Sequence, residues 1–174
     1  LNWVVLDEAD EMLQMGFREE LNAILAETPD SKNTLLFSAT MSGEVAGIAS
    51  DYMKDPVEIT VGRRNAGAEN VHHVYYVVSD RYRYQALRRI ADMTPDLYGI
   101  IFCRTRLETR DIVEKLIEDG YSADALHGEL SQSQRDHVMH KFRSRNIRML
   151  VATDVAARGL DVNDLTHVIH YSLP

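Results

Sequence analysis

Short apolar runs alternate with amphipathic stretches along this chain, and that alternation restricts its fold more than any other feature. Trp3-Val-Val-Leu6 is apolar and ends in acid, and Thr34-Leu-Leu-Phe37 repeats the pattern before a small polar turn. Further runs at 57–61, 71–78, 99–103, 123–126, 148–152 and 166–171 read as strands. The stretches between them are long enough for helices. Strands separated by such helices predict parallel βαβ units with right-handed crossovers, an α/β class fold.

Helix signals agree with that reading. Residues 18–26 carry Leu21, Ile24 and Leu25 at helical spacing. Ser42 suits the N-cap of a helix that turns Val45, Ile48, Ala49 and Tyr52 inward, and Pro56 stops it. Asp80 suits the cap of a helix through Met93. Thr105 with Glu108, and Ser131 with Gln134, have capping-box spacing. The first opens a helix with Ile112, Val113, Leu116 and Ile117 inward until Gly120; the second buries Val138, Met139 and Phe142. Residues 62–70 have two glycines and no periodicity, which predicts a linker between a domain at 1–61 and a second at 71–174.

Composition excludes several classes. No apolar run approaches the ~20 residues that cross a bilayer, so no membrane partner is expected. A single cysteine, Cys103, excludes a disulfide framework and suits a reducing cytoplasm. The seven histidines form no zinc-spaced cluster, and a strand over 71–78 would put His72 and His73 on opposite faces. The net charge of -8 sits in one place: residues 1–61 hold 3 basic and 12 acidic side chains, whereas residues 71–174 hold 14 of each. Basic clusters such as Arg81, Arg83, Arg88, Arg89 and Lys141, Arg143, Arg145, Arg148 suit solvated helix faces as well as an anionic partner.

In parallel α/β sheets, ligands bind at the carboxyl ends of the strands. Asp7-Glu8-Ala9-Asp10 stands at such an end. There Asp7 suits Mg²⁺ held through water against phosphate oxygens. Glu8 suits the orientation or deprotonation of a water, and Asp10 suits a bond to a neighbouring loop. The same acids also suit a helix N-terminus and its dipole. Ser38-Ala39-Thr40 ends the next strand, where small hydroxyl residues can exchange bonds with Asp10, or simply turn into a helix. His127 suits a hydrogen-bonded strand end, and Phe102 and Cys103 suit a core.

Taken in order, these residues resemble a family. The stretch from Val5 to Leu13, then Gly16-Phe17, then Ser38-Ala39-Thr40, is similar to the first-domain motifs of DEAD-box ATP-dependent RNA helicases. Ile100 to Thr105 resembles motif IV of that family. Leu126-His-Gly128 with Gln132-Ser-Gln-Arg135 resembles its glycine and QxxR elements, and the ten residues from Ala152 to Asp161 resemble motif V. The resemblance implies two RecA-like parallel-sheet domains, the first truncated N-terminally and the second C-terminally. It implies ATP and Mg²⁺ as cofactors and an RNA backbone as partner, with closure on both driving local unwinding.

The resemblance also implies roles. Asp7 would coordinate Mg²⁺ and Glu8 would position the hydrolytic water. Asp10, Ser38 and Thr40 would couple nucleotide state to closure. Gly159 and Asp161 would meet ATP. Gly128, Gln132, Arg135, Thr153 and Arg158 would line the RNA path, with Phe102 and Thr105 supporting it and Arg106 as a further candidate. No G-x-x-x-x-G-K-[ST] phosphate loop occurs, and motif VI with its arginines would follow Pro174. These 174 residues alone are therefore expected to be inactive. Two other readings stand beside this one: a DNA helicase of the same superfamily, and a non-enzymatic ATP-gated RNA clamp or scaffold.

Overall fold

Two parallel strands open the chain, and what they lack is as informative as what they pair. The structure, a computed structural model, describes residues 1–61 and 71–173 and divides into units Leu1–Val74 and Tyr75–Pro174. The linker expected at 62–70 lies outside the described residues. In the first unit β1 (Trp3–Leu6) pairs with β2 (Asn33–Leu36), Trp3 opposite Asn33 and Leu6 opposite Leu36. Helices α1 (Ala9–Gln14), α2 (Arg18–Ala26) and α3 (Gly43–Tyr52) close a core of Leu6, Leu13, Leu21, Leu25, Val45 and Ile48. Ser42 caps α3, its hydroxyl accepting the Val45 amide at 3.3 Å.

The two strands were expected to be buried on both faces; only one face is. Side chains alternate across a strand, and Trp3, Val5, Leu35 and Phe37 all stand exposed. Ile24, expected inward, is exposed too. It lies about 100° round the helix from Leu25, outside the narrow stripe that Leu21 and Leu25 share.

In the second unit β3 (Gly99–Cys103), β4 (Ala123–Leu126), β5 (Met149–Thr153) and β6 (His167–His170) form a wholly parallel sheet in the order β4-β5-β3-β6. Alternation splits its interior into two cores. Ile101, Cys103, Met149 and Val151 pack with α4 (Arg83–Met93) and α5 (Arg106–Glu118). Ile100, Leu126, Leu150 and Ala152 pack with α6 (Gln132–Arg143) and the short α7 (Asp154–Ala157). Gly99 is required where β3 meets β6: a Cβ there would come within 2.5 Å of the His167 carbonyl oxygen.

Several expectations are corrected here. Residues 57–61 and 71–78 are not strands: Val57, Ile59, Val61, Tyr75 and Val77 are almost fully exposed, and no strand among the described residues pairs with them. β-propensity without a ladder partner does not make a strand. The strand argument separating His72 from His73 lapses with it. Asp80 caps no helix; it pairs with Arg83 across a 3₁₀ turn, Asp80–Tyr82, that precedes α4. Thr105 caps α5 through the Glu108 amide at 3.1 Å, but the Glu108 carboxylate turns away to the Arg104 amide and the Ser172 hydroxyl, so the box is half formed. The box at Ser131 and Gln134 is complete. Ile117, expected inward, is exposed.

Candidate functional site

In the first unit, the acids after β1 line an open cleft of about 420 Å³ with Glu11, Phe37, Ser38 and Ala39. Asp7 and Glu8 are exposed, and one Asp7 oxygen accepts the Glu8 amide at 2.9 Å. Glu8 has φ 51°, a left-handed conformation unusual for a residue with a side chain. Such strain persists where surrounding structure imposes it. The Ala9 amide, immediately after it, is bound at 3.1 Å to the Phe37 carbonyl on the neighbouring loop.

Asp10 is the buried member of the acid group, 5% exposed. Its Oδ2 accepts both the Thr40 amide and the Thr40 hydroxyl at 2.8 Å. The Asp10 amide donates to Ser38 Oγ at 3.3 Å, and that hydroxyl donates to the Thr40 carbonyl at 2.7 Å. Burial pushes the Asp10 carboxyl up, but the bonds from Thr40 and then Ser38 outweigh it and hold the group below the usual carboxylate range. The loops after β1 and β2 are thus tied through one ionised side chain.

In the second unit the candidates stand at the carboxyl ends of β3, β4 and β5. Gly128 follows β4, is exposed and would tolerate a Cβ, with φ outside the left-handed region. The unit's own packing therefore gives no reason for a glycine there. Gln132 and Arg135 occupy the first turn of α6; Gln132 donates to Asp136 at 2.8 Å, and Arg135 donates to the Ala156 carbonyl at 3.0 Å. Arg106, at the start of α5, pairs with Glu129 at 2.6 Å. Thr153 ends β5 opposite Cys103, and Arg158 is half-buried just past α7. Gly159 has φ +67°, so backbone conformation demands glycine there even though the space is open. Asp161 is exposed beside a depression that Tyr98, Arg143 and Arg145 share.

His127 is buried, with Nε2 accepting the Arg110 Nε–H at 3.3 Å. Burial first, then the neighbouring Arg110 charge, lowers its pKa, so it stands as a neutral ring. Burial pushes the Cys103 thiol up to about 12, which leaves it an inert packing group. Phe102 is half-buried and stacks on His170 with centroids 5.3 Å apart. Sequence reasoning missed Arg110 and Glu129, and it singled out Arg143 only within a basic cluster, whereas its guanidinium holds the Asp161 carbonyl at 3.2 Å. The i, i+4 spacing of Arg106 and Arg110 was the one available signal.

Comparison with known proteins shows what the chain is similar to. Residues 82–174 match the family described as helicase conserved C-terminal domain, and residues 1–48 match DEAD/DEAH box helicase. The chain is 43% identical to the RNA helicase CrhR of Synechocystis over its whole length, covering 36% of that protein. It is 42% identical to the DEAD-box ATP-dependent RNA helicase CshA of Bacillus cereus, over 98% of the chain and 33% of that protein. It thus spans about a third of each of these curated relatives. Among solved structures, a DEAD box protein from Methanococcus jannaschii is 42% identical with a TM-score of 0.60, covering the whole chain and 47% of its own. S. cerevisiae Dbp5 bound to RNA and ADP BeF3 is 26% identical with a TM-score of 0.87, covering the whole chain and 45% of its own.

Proposed function

Because this chain belongs to the DEAD-box helicase family, we propose that it forms part of the catalytic core of a cytoplasmic ATP-dependent RNA helicase. The observation that carries this reading is the division of labour among the acids after β1: Asp7 and Glu8 exposed at the cleft, Asp10 buried and locked to Thr40. Exposed carboxylates at a strand end are free to act on a ligand. A buried one bound to the next loop is placed to report on it.

Asp7 suits Mg²⁺. That cation keeps most of its waters and takes one or two carboxylates, and Asp7 stands exposed on the cleft to offer one. Bound there, Mg²⁺ would neutralise and hold phosphate oxygens of ATP. Glu8 would orient the attacking water and accept its proton. Asp10, through Thr40 and Ser38, would make the loop after β2 follow the position of the loop after β1. In the second unit Gly159 and Asp161 would meet the nucleotide. Gly128, Gln132, Arg135, Thr153, Arg158 and Arg106 would meet RNA phosphates and sugars, which favours RNA without reading sequence. The domain division at 1–61 and 71–174 is part of this proposal.

The reading is tested by Glu8→Gln in a full-length protein bearing this chain. RNA-stimulated ATP hydrolysis should fall at least about 100-fold, the scale of a lost general base, while ATP-dependent RNA binding persists. Unchanged hydrolysis would refute the role of Glu8. Stimulation by DNA as strong as by RNA would favour the DNA helicase, and RNA binding with no turnover in the unsubstituted protein would favour the clamp.

A further inference from the structure

Three polar side chains assigned to the RNA path are already engaged within the protein. Gln132 is held by Asp136 and Arg135 by the Ala156 carbonyl. Arg106 is held by a carboxylate that no motif singles out. Glu129, one residue past Gly128, spreads its two oxygens over two guanidinium groups: Oε1 meets Arg106 Nη1 at 2.6 Å and Oε2 meets Arg110 Nη2 at 2.5 Å. Arg106 and Arg110 stand one helical turn apart on α5, and Arg110 is steadied from behind by its Nε–H donated to buried His127. Two cations fixed side by side around one doubly accepting anion are also what a bridging phosphate would receive. All three side chains are substantially exposed, between 43% and 60%. The grip is therefore weak enough for exchange, because exposed ion pairs contribute little net stability.

We propose that Glu129 acts as a built-in competitor for the RNA phosphate at Arg106 and Arg110, a positioning residue that keeps both arginines aimed and sets how tightly RNA is held. It makes Arg110 a further RNA-binding residue. When RNA arrives, one phosphate oxygen pair replaces the Glu129 carboxylate, which swings into solvent while the His127 bond keeps Arg110 in place. Competition of this kind lowers affinity and speeds release, as a protein that must let go of each strand requires. The inference rests on the RNA-binding reading above.

The test measures binding of a fluorescein-labelled single-stranded oligouridine by anisotropy, using the full-length protein with a non-hydrolysable ATP analogue over a range of salt. Glu129→Gln should tighten binding about threefold to tenfold. It should also steepen the salt dependence towards one added phosphate contact, a slope change of about 0.7 for a single strand. Arg106→Ala with Arg110→Ala should weaken binding, and adding Glu129→Gln to that pair should then change nothing. Glu129→Ala guards against a peculiarity of the amide and should tighten binding likewise. Equal or weaker binding by both Glu129 variants, with an unchanged salt slope, overturns the proposal while leaving RNA binding intact. If the unsubstituted protein does not bind the oligonucleotide, the RNA reading itself fails.

Discussion

Replacing Asp10 with Ala should unfasten the first unit, and the size of the effect follows from its bonds. Asp10 is buried and accepts two bonds from Thr40 at 2.8 Å while charged. Hydrogen bonds to a charged group contribute about 1.5–3 kcal/mol each. The desolvation already spent on the carboxylate offsets part of that sum, leaving a loss of about 2–4 kcal/mol for Asp10→Ala. The lone tryptophan, Trp3, lies on β1 four residues before Asp7, so urea unfolding of the 174-residue chain followed by tryptophan fluorescence reports on this unit. Thr40→Val removes only the hydroxyl bond, and a double-mutant cycle with Asp10→Ala should return a coupling of about 1–2 kcal/mol. The coupling also has a pH signature. The folded carboxyl lies below its unfolded value of about 3.9. Its stabilisation is therefore complete above that value and disappears as pH falls through the lower folded one. A loss within about 0.5 kcal/mol of an exposed control such as Asp51→Ala, or a coupling of zero, would refute the reasoning.

Two further outcomes follow from the second unit. Gly99→Ala forces a Cβ to 2.5 Å from the His167 carbonyl oxygen and should cost about 1–3 kcal/mol. Gly128→Ala, with open space around it, should leave the melting temperature nearly unchanged, and circular dichroism melts compare the two. His127 is held below the usual imidazole range by burial and then by Arg110. Its unfolded form takes up a proton near pH ~6.5, so the stability it contributes is full above that pH and is lost as pH falls through it. His127→Gln should therefore flatten the decline in melting temperature between about pH 7.5 and 5.

Sequence periodicity read the second unit well because each of its strands finds a ladder partner in one four-stranded parallel sheet. The runs at 99–103 and 123–126 coincide with β3 and β4. It failed at 57–61 and 71–78, where alternation and β-branched residues promise a strand but no neighbouring ladder is present among the described residues. Ile24 and Ile117 failed for a different reason: apolar character says nothing of how wide a helix's covered stripe is. Within the candidate site, the bond between Asp10 and the loop at 38–40 was legible because both segments end neighbouring strands. The hold of Glu129 on Arg106 and Arg110 was not. It joins residues about twenty positions apart through the relative placement of α5 and the turn after β4, which no local pattern encodes.

The division of the second unit's interior between two faces of one sheet has a consequence for how its sequence can change. Ile100 and Ile101 are chain neighbours yet serve separate cores. A swap of one aliphatic residue for another disturbs a single layer. Deleting or inserting one residue within β3 would exchange the two faces, handing each layer the side chains cut for the other while overall hydrophobicity stayed the same. Drift in this strand is thus open to substitution and closed to change of length, and the loop beyond it keeps its reading frame against its neighbours.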